Sequence, residues 1–484
     1  VAAPPAASEL SRGSGEGRSA ASESPASESP AVDASTRPLE DFLVRPRIRE
    51  VALSPRGDRV AYLLRDASSS ELGWLDARTG ERRTLLRSRL IDDIHWSGDG
   101  GGVFMVTADR LGFVDVDTGD ARWLHRFDGI HGAAEFLGVA RGHPRSAWVG
   151  EPLEGHRHRL VRVDAGGAAP EVLEGDQPIR HFLTDPNGDV RYLKRAEGDE
   201  QVVSRLSADG AVDVERCDGL GRCLPVAFEV VDGGERERLW ILGDGGPSDL
   251  IRLYALELDR VSGWRPVDDG GRTVHVDPLG LADLRAVIFD PDSGRPRVAV
   301  HDSDRRRHYG LDAAAVRGLR HLDRLLPGAR LRLDVGPSGA EGGGTWLVEE
   351  GGPRFQHPRY YLLDVSGGGL REILADERAR RPSIPPASFA GPRFLTFEAS
   401  DGFPVHGLLT VPPGASADDL RAAPVVVRVH GGPWNHVRME WSGLRQFLVS
   451  RGYAVYEPNF RASTGFGRGH ILAAQGDFGD GRVQ

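Results

Sequence analysis

From about Leu39 to Ile384 apolar and polar residues alternate in short runs closed by turns, with very few runs of helical period. Val51-Ala-Leu-Ser-Pro-Arg-Gly-Asp-Arg-Val-Ala-Tyr-Leu63 reads as strand, tight turn, strand, with Ser54-Pro55 and Gly57-Asp58 supplying the turn. The unit recurs at Ile94–Val106 and at Phe182–Leu193. A second element alternates with it. Trp74–Gly80 and Phe113–Gly119 each end in an Asp-x-x-Thr-Gly turn before another apolar run, and Tyr361–Gly367 ends in a shorter Asp-Val-Ser-Gly turn before one. The first two turns stand about one four-stranded blade apart, which predicts a β-propeller of about seven blades, seven or eight by length. A β-sandwich is the alternative, and it rarely needs this length. Around residues 226–275 the strands Leu239–Leu242 and Leu250–Leu256 have no assignable register.

The period changes after the Pro-rich linker at Arg378–Pro386. Arg393–Glu398 and Val405–Val411 read as a hairpin about Asp401-Gly402. Val425–Val429 reads as a buried parallel-type strand, Trp441–Arg451 as a helix stopped by Gly452, and Tyr453–Pro458 as the next strand. This is a right-handed β-α-β crossover, the start of an α/β domain. The predicted organisation is a disordered, low-complexity segment over 1–38, a propeller over 39–390 and an incomplete α/β-hydrolase domain over 391–484.

Composition narrows the class. With 39% hydrophobic and 27% charged residues the chain is expected to be globular, and no apolar run reaches the roughly 18 residues of a membrane helix. A net charge of −10 argues against a nucleic-acid partner. Cys217 and Cys223 are spaced for a small disulfide loop or stand as two free thiols, so the compartment stays open. No metal or other cofactor is expected: His156-Arg157-His158 lacks a carboxylate at ligand spacing and reads as a solvated strand face. Arg305-Arg306-Arg307-His308 could meet an acidic partner, but after Asp302 and Asp304 it reads as a solvated turn with internal ion pairs. Glu349-Glu350 could catch a peptide's free amino group at the propeller mouth, but its local pattern does not favour that.

The strongest chemical sign is His430-Gly431-Gly432-Pro433, where a β-branched strand breaks into a turn that can bring bare N–H groups to a ligand. Ser54–Asp58, Tyr360–Asp364, Ser400-Asp-Gly402, His430–Pro433, Arg461-Ala-Ser-Thr-Gly-Phe-Gly467 and Gly476-Asp-Phe-Gly-Asp480 follow one another over nearly all of the chain after residue 38. In that order and spacing the chain resembles the prolyl oligopeptidase family of serine peptidases, most closely its acylaminoacyl-peptidase and dipeptidyl-aminopeptidase-like branch. The resemblance implies a propeller that restricts a hydrolase to short peptides. It makes the Gly432 N–H an oxyanion donor, with Gly431 supporting the turn and His430 serving structure rather than acting as base. No Gly-x-Ser-x-Gly elbow occurs, and Ser97, Ser338, Ser442 and Ser463 all lack its glycine pair. The catalytic Ser, Asp and His are therefore expected after Gln484, and this chain alone is expected to be an inactive fragment. The alternatives are a non-catalytic propeller that binds peptides or a protein, and an esterase-type hydrolase. Bond specificity and oligomeric state are not legible.

Overall fold

A computed structural model describes residues 34–476 except 89–90, 130–131, 141, 155–156, 168–170, 176–178, 180, 220, 245–248, 268–270, 339–343, 381 and 433. Among the described residues seven small antiparallel sheets follow one another, their first strands beginning at Ile48, Asp93, Glu135, His181, Cys223, Leu284 and Arg330. Six have four strands and the sixth, Leu284–Gly310, has three. A two-stranded ribbon, Asp128–Gly129 with Gly132–Ala133, lies between the second and third.

The turns form as their residues dictate. Gly57 adopts φ +72° and donates to Ser54 O, while the Ser54 hydroxyl donates to Asp58 and accepts from Arg59 N. In the Asp-x-x-Thr-Gly turns the Asp carboxylate accepts the Thr N–H, at 2.6 Å for Asp76–Thr79 and 3.0 Å for Asp115–Thr118. Apolar clusters lie between neighbouring sheets. One of them closes the ring: Ile48, Val60 and Leu75 of the first sheet pack on Leu347, Leu362 and Ile373 of the last. Asp334 Oδ2 accepts the Leu53 N–H across that seam at 3.0 Å. The unassigned register is Leu239 opposite Leu256 and Ile241 opposite Tyr254. Cys217, near the end of one sheet, and Cys223, opening the next, are joined as a disulfide.

Some features go beyond the strand-and-turn pattern. Ala313–Leu325 is a helix, N-capped by the Asp312 carboxylate on Ala315 N, and it follows the sixth sheet where a fourth strand would lie. Its stripe of Ala315, Leu319 and Leu322 packs on Trp346 and Val348 of the last sheet. Residues 1–33 of the segment expected to be disordered lie outside the described residues, but 34–38 are placed. Ala34–Thr36 is a 3-10 turn whose Ala34 carbonyl, like that of Arg37, accepts from the Arg451 guanidinium. Finally, Leu39–Leu43, assigned to the propeller, is a short helix whose buried Phe42 packs on Phe389, Trp441 and Phe447. Residues 34–43 are thereby attached to the C-terminal α/β part.

That part is one sheet in the order Arg393–Glu398, Pro404–Thr410, Ala454–Asn459, Val425–Val427. The last pair is parallel and is connected through the helix Gly443–Ser450. Val425–Val429 is not the buried strand expected. Only Val425–Val427 is strand, it pairs with Ala454–Asn459 alone, and Val425, Val427 and Val429 are 58%, 59% and 60% exposed. One face of the sheet packs under the helix through Val455 and Val449. On the opposite face Val425, Val427, Leu395 and Phe397 meet water, because no layer among the described residues covers them.

Candidate functional site

The His-Gly-Gly turn starts where the edge strand ends, and buried charge holds that end. Glu457, fully buried on the neighbouring strand, pairs with Arg428 and, at 2.7 Å, with Arg445 of the helix. The Arg428 N–H donates to Tyr456 O at 2.8 Å and its guanidinium to Ser442 Oγ at 3.2 Å. Two residues on, the His430 ring stacks on Phe460, with centroids 4.5 Å apart and planes at 21°. Its Nδ1 lies 3.0 Å from Gly431 O and its Nε2 lies 3.0 Å from Ser463 Oγ. Both nitrogens are engaged in fixing the turn. Gly432 has φ +136°, a region L side chains rarely adopt, and it is exposed. Among the described residues nothing accepts a hydrogen bond from its N–H. Pro433 lies outside the described residues, and Trp434 beside it is 67% exposed.

The loop that carries Ser463 is held from two sides. Within the α/β part, Ser463 N donates to Phe460 O at 3.0 Å and Thr464 N to Asn435 O at 3.0 Å. Asn459 Oδ1 takes the Val437 N–H at 2.7 Å, and Asp401 pairs with Arg461 at 2.5 Å. From the propeller come three aspartates. Asp218 pairs with Arg468. The Asp249 carbonyl accepts from Arg468 N at 3.0 Å and its carboxylate from Gly469 N at 2.7 Å. The Asp283 N–H donates to Gly465 O at 2.9 Å. A chain of contacts thus runs from the propeller through residues 463–469 to His430, two residues before Gly432.

Burial pushes the imidazoles of His436 and His470 down to about 4, so both are neutral at physiological pH, and neighbouring Arg438 adds to the shift of His436. Neither makes a nucleophile–base pair with a serine here: His436 Nδ1 meets Thr464 Oγ1 at 3.3 Å and His470 Nδ1 meets Ser463 O at 3.1 Å. Among the described residues no group of three His, Cys, Asp or Glu is arranged to hold a metal.

Each serine without an elbow has a structural partner. Ser97 donates to Asp99, Ser338 to Asp290, Ser442 caps the helix Gly443–Ser450, and Ser463 meets His430. Glu350 accepts from Tyr361 OH at 2.8 Å, whereas Glu349, raised by burial, lies on the propeller's inner cavity with Glu50 and Asp334. His156 and residues 477–480 of the Gly-Asp-Phe-Gly-Asp motif lie outside the described residues, while Arg157 pairs with Glu174. Sequence reasoning found the turn and missed its anchors, Phe460 and the propeller aspartates. Ser463 was visible only as part of the Arg461–Gly467 motif.

No family model matches the chain. Among curated proteins it is 27% identical to dipeptidyl aminopeptidase BIII of Pseudoxanthomonas mexicana, across 75% of this chain and 51% of that protein. It is 29% identical to the acylamino-acid-releasing enzyme of Sus scrofa, across 47% of this chain and 30% of that one. The chain therefore spans about half the length of the first relative and less of the second. Among solved structures, a Mycobacterium tuberculosis puromycin-hydrolyzing peptidase superposes with a TM-score of 0.62 at 18% identity, over 92% of this chain and 70% of that one. One of two prolyl endopeptidases superposes equally well, at 0.62 and 14% identity over 91% and 65%. These structural likenesses establish the fold: a β-propeller joined to the leading strands of an α/β-hydrolase. By sequence and by fold, the chain resembles serine peptidases of the prolyl oligopeptidase family.

Proposed function

We propose that this chain is the propeller and the leading hydrolase strands of a serine peptidase that hydrolyses short peptides. In this reading residues 39–390 form the size-restricting propeller and 391–484 the first part of the catalytic domain, with Leu39–Leu43 packed against the latter. The Gly432 N–H is one oxyanion donor, and Gly431 shapes the turn that presents it. The observation that carries the reading is the turn itself. Gly432 sits at positive φ, exposed, on a segment whose histidine is fixed by Ser463 and Phe460, so the N–H direction is set before any ligand arrives. A preorganised donor of this kind lowers an acyl-transfer barrier by about 3–4 kcal/mol. In this reading Ser, Asp and His of the triad are assigned to none of residues 1–484, and the chain spans 51% of the first relative's length.

The test is the reading frame of the gene. A frame that continues past Gln484 into a Gly-x-Ser-x-Gly segment within roughly 50 residues supports the peptidase. A stop codon directly after Gln484 sinks it and leaves the non-catalytic propeller.

A further inference from the structure

Outside the turn, one unexplained feature is a cavity of about 700 Å³ at the seam between the sixth and seventh sheets and the α/β part, where Met439 closes one side. That volume suits a small organic ligand or a short peptide. Part of its wall is apolar, with Leu322 and Leu331 buried and Leu326 and Phe355 half-buried. Six arginines and two aspartates line it, in a protein whose net charge is −10. The expected solvated turn is only part of the explanation. Arg306 and Arg307 do pair with Asp302 and Asp304, but the Arg306 side chain is buried.

The positive charge is not neutralised within the fold. Arg306 and Arg330 share Glu440, at 3.9 and 2.6 Å. Arg330 Nε is buried without a hydrogen-bond partner among the described residues, and burial and the nearby Arg306 charge together depress its guanidinium. At the rim Arg305, Arg320 and Arg354 are exposed and have no carboxylate partner among the described residues. His308, pushed down to about 4 by burial and by Arg306, adds no charge at neutral pH. An apolar pocket with an uncompensated guanidinium rim is built for one chemistry, a carboxylate carried on an apolar body.

We propose that this seam cavity binds a small ligand that bears a carboxylate on an apolar body, the acid held by Arg320 and Arg354 and the body lying on Leu322, Leu326 and Phe355. The site stands independently of catalysis, since binding is read without turnover. Isothermal titration of the full chain would compare acetyl-Leu-Glu with acetyl-Leu-Gln-amide, and octanoate with octanamide. The acid is expected to bind at least about tenfold more tightly than its amide, with the advantage falling as salt rises. R320Q combined with R354Q, both at exposed positions, is expected to remove that advantage. Preference for the dipeptide identifies a peptide site and preference for octanoate an acyl-chain site, and either supports the assignment. Equal binding of acid and amide, no binding of any of the four, or an advantage that survives R320Q/R354Q would overturn it.

Discussion

The coupling between propeller and turn can be broken at one glycine. Gly467 has φ +91°, and a Cβ placed there would lie 2.3 Å from Asp249 Oδ2. Gly467→Ala therefore costs about 1–2 kcal/mol for the left-handed backbone. It must also displace the Asp249 carboxylate, whose bond to Gly469 N is a charge-assisted contact of 2.7 Å. Losing that bond adds about 1.5–3 kcal/mol, giving roughly 2.5–5 kcal/mol of local destabilisation. Hydrogen exchange read by mass spectrometry on peptides covering Phe460–Leu472 and Val425–Asn435 is the assay. Opening of the first peptide should become at least fiftyfold more frequent, since each 1.4 kcal/mol is a factor of ten. The second should follow, because Ser463 no longer fixes His430. Protection elsewhere in the propeller should not change. Exchange in Phe460–Leu472 within a factor of three of the parent would refute the coupling. So would a change confined to that peptide, because the turn would then not depend on it.

The remaining predictions concern stability and solubility. Glu237, buried, accepts two hydrogen bonds from buried Arg205, at 2.9 and 2.8 Å, and one from Tyr192. Glu237→Ala strands the Arg205 cation and should cost about 3–5 kcal/mol in urea unfolding, whereas a double Arg205→Met, Glu237→Leu variant should recover most of it. Burial alone would raise the Glu237 carboxyl, but the bonds from Arg205 and Tyr192 and the charge of Arg205 outweigh it and hold it below the usual range. Its contribution is therefore full above the unfolded value of 4.5 and is lost as pH falls through the lower folded value. Equal stability of wild type and Glu237→Gln above pH 5 would contradict this. Phe42→Ala removes a buried ring from the contact with Phe447 and should cost about 3–5 kcal/mol, detected as early proteolysis of the α/β part while the propeller stays intact. Val425→Thr with Val427→Thr should reduce aggregation of the 484-residue chain by light scattering without lowering its unfolding midpoint, since both side chains already face water.

Much of this was legible because it is local. The hairpin around Asp401-Gly402, the strand Arg393–Glu398 and the Asp-x-x-Thr-Gly turns follow from residue type and spacing, and they form where the pattern places them. The helix Ala313–Leu325 carried its own signal in the Asp312 cap and the Ala315, Leu319, Leu322 stripe, which a strand-and-turn pattern on either side obscured. The exposure of Val425–Val427 was not readable from an apolar run, because burial depends on layers contributed by other segments. Contacts between distant positions left no mark at all in the sequence: Phe42 on Phe447, Asp249 on Gly469, and Arg320 gathered with Arg354 around one cavity. The turn at His430 is intermediate. Its glycines announce a close approach to a ligand, while the Ser463 and Phe460 that fix it come from a loop some thirty residues later.

The most direct test of the central claim is labelling of the protein expressed from its complete reading frame with a fluorophosphonate, read by peptide mass spectrometry. The account predicts a single adduct, on a serine flanked as Gly-x-Ser-x-Gly and lying after Gln484. Its yield should fall sharply when Gly432 is replaced by proline, which removes the donor N–H and cannot adopt the φ of +136° that the turn requires. An adduct on any serine within residues 1–484, or no adduct on a folded protein, would contradict it.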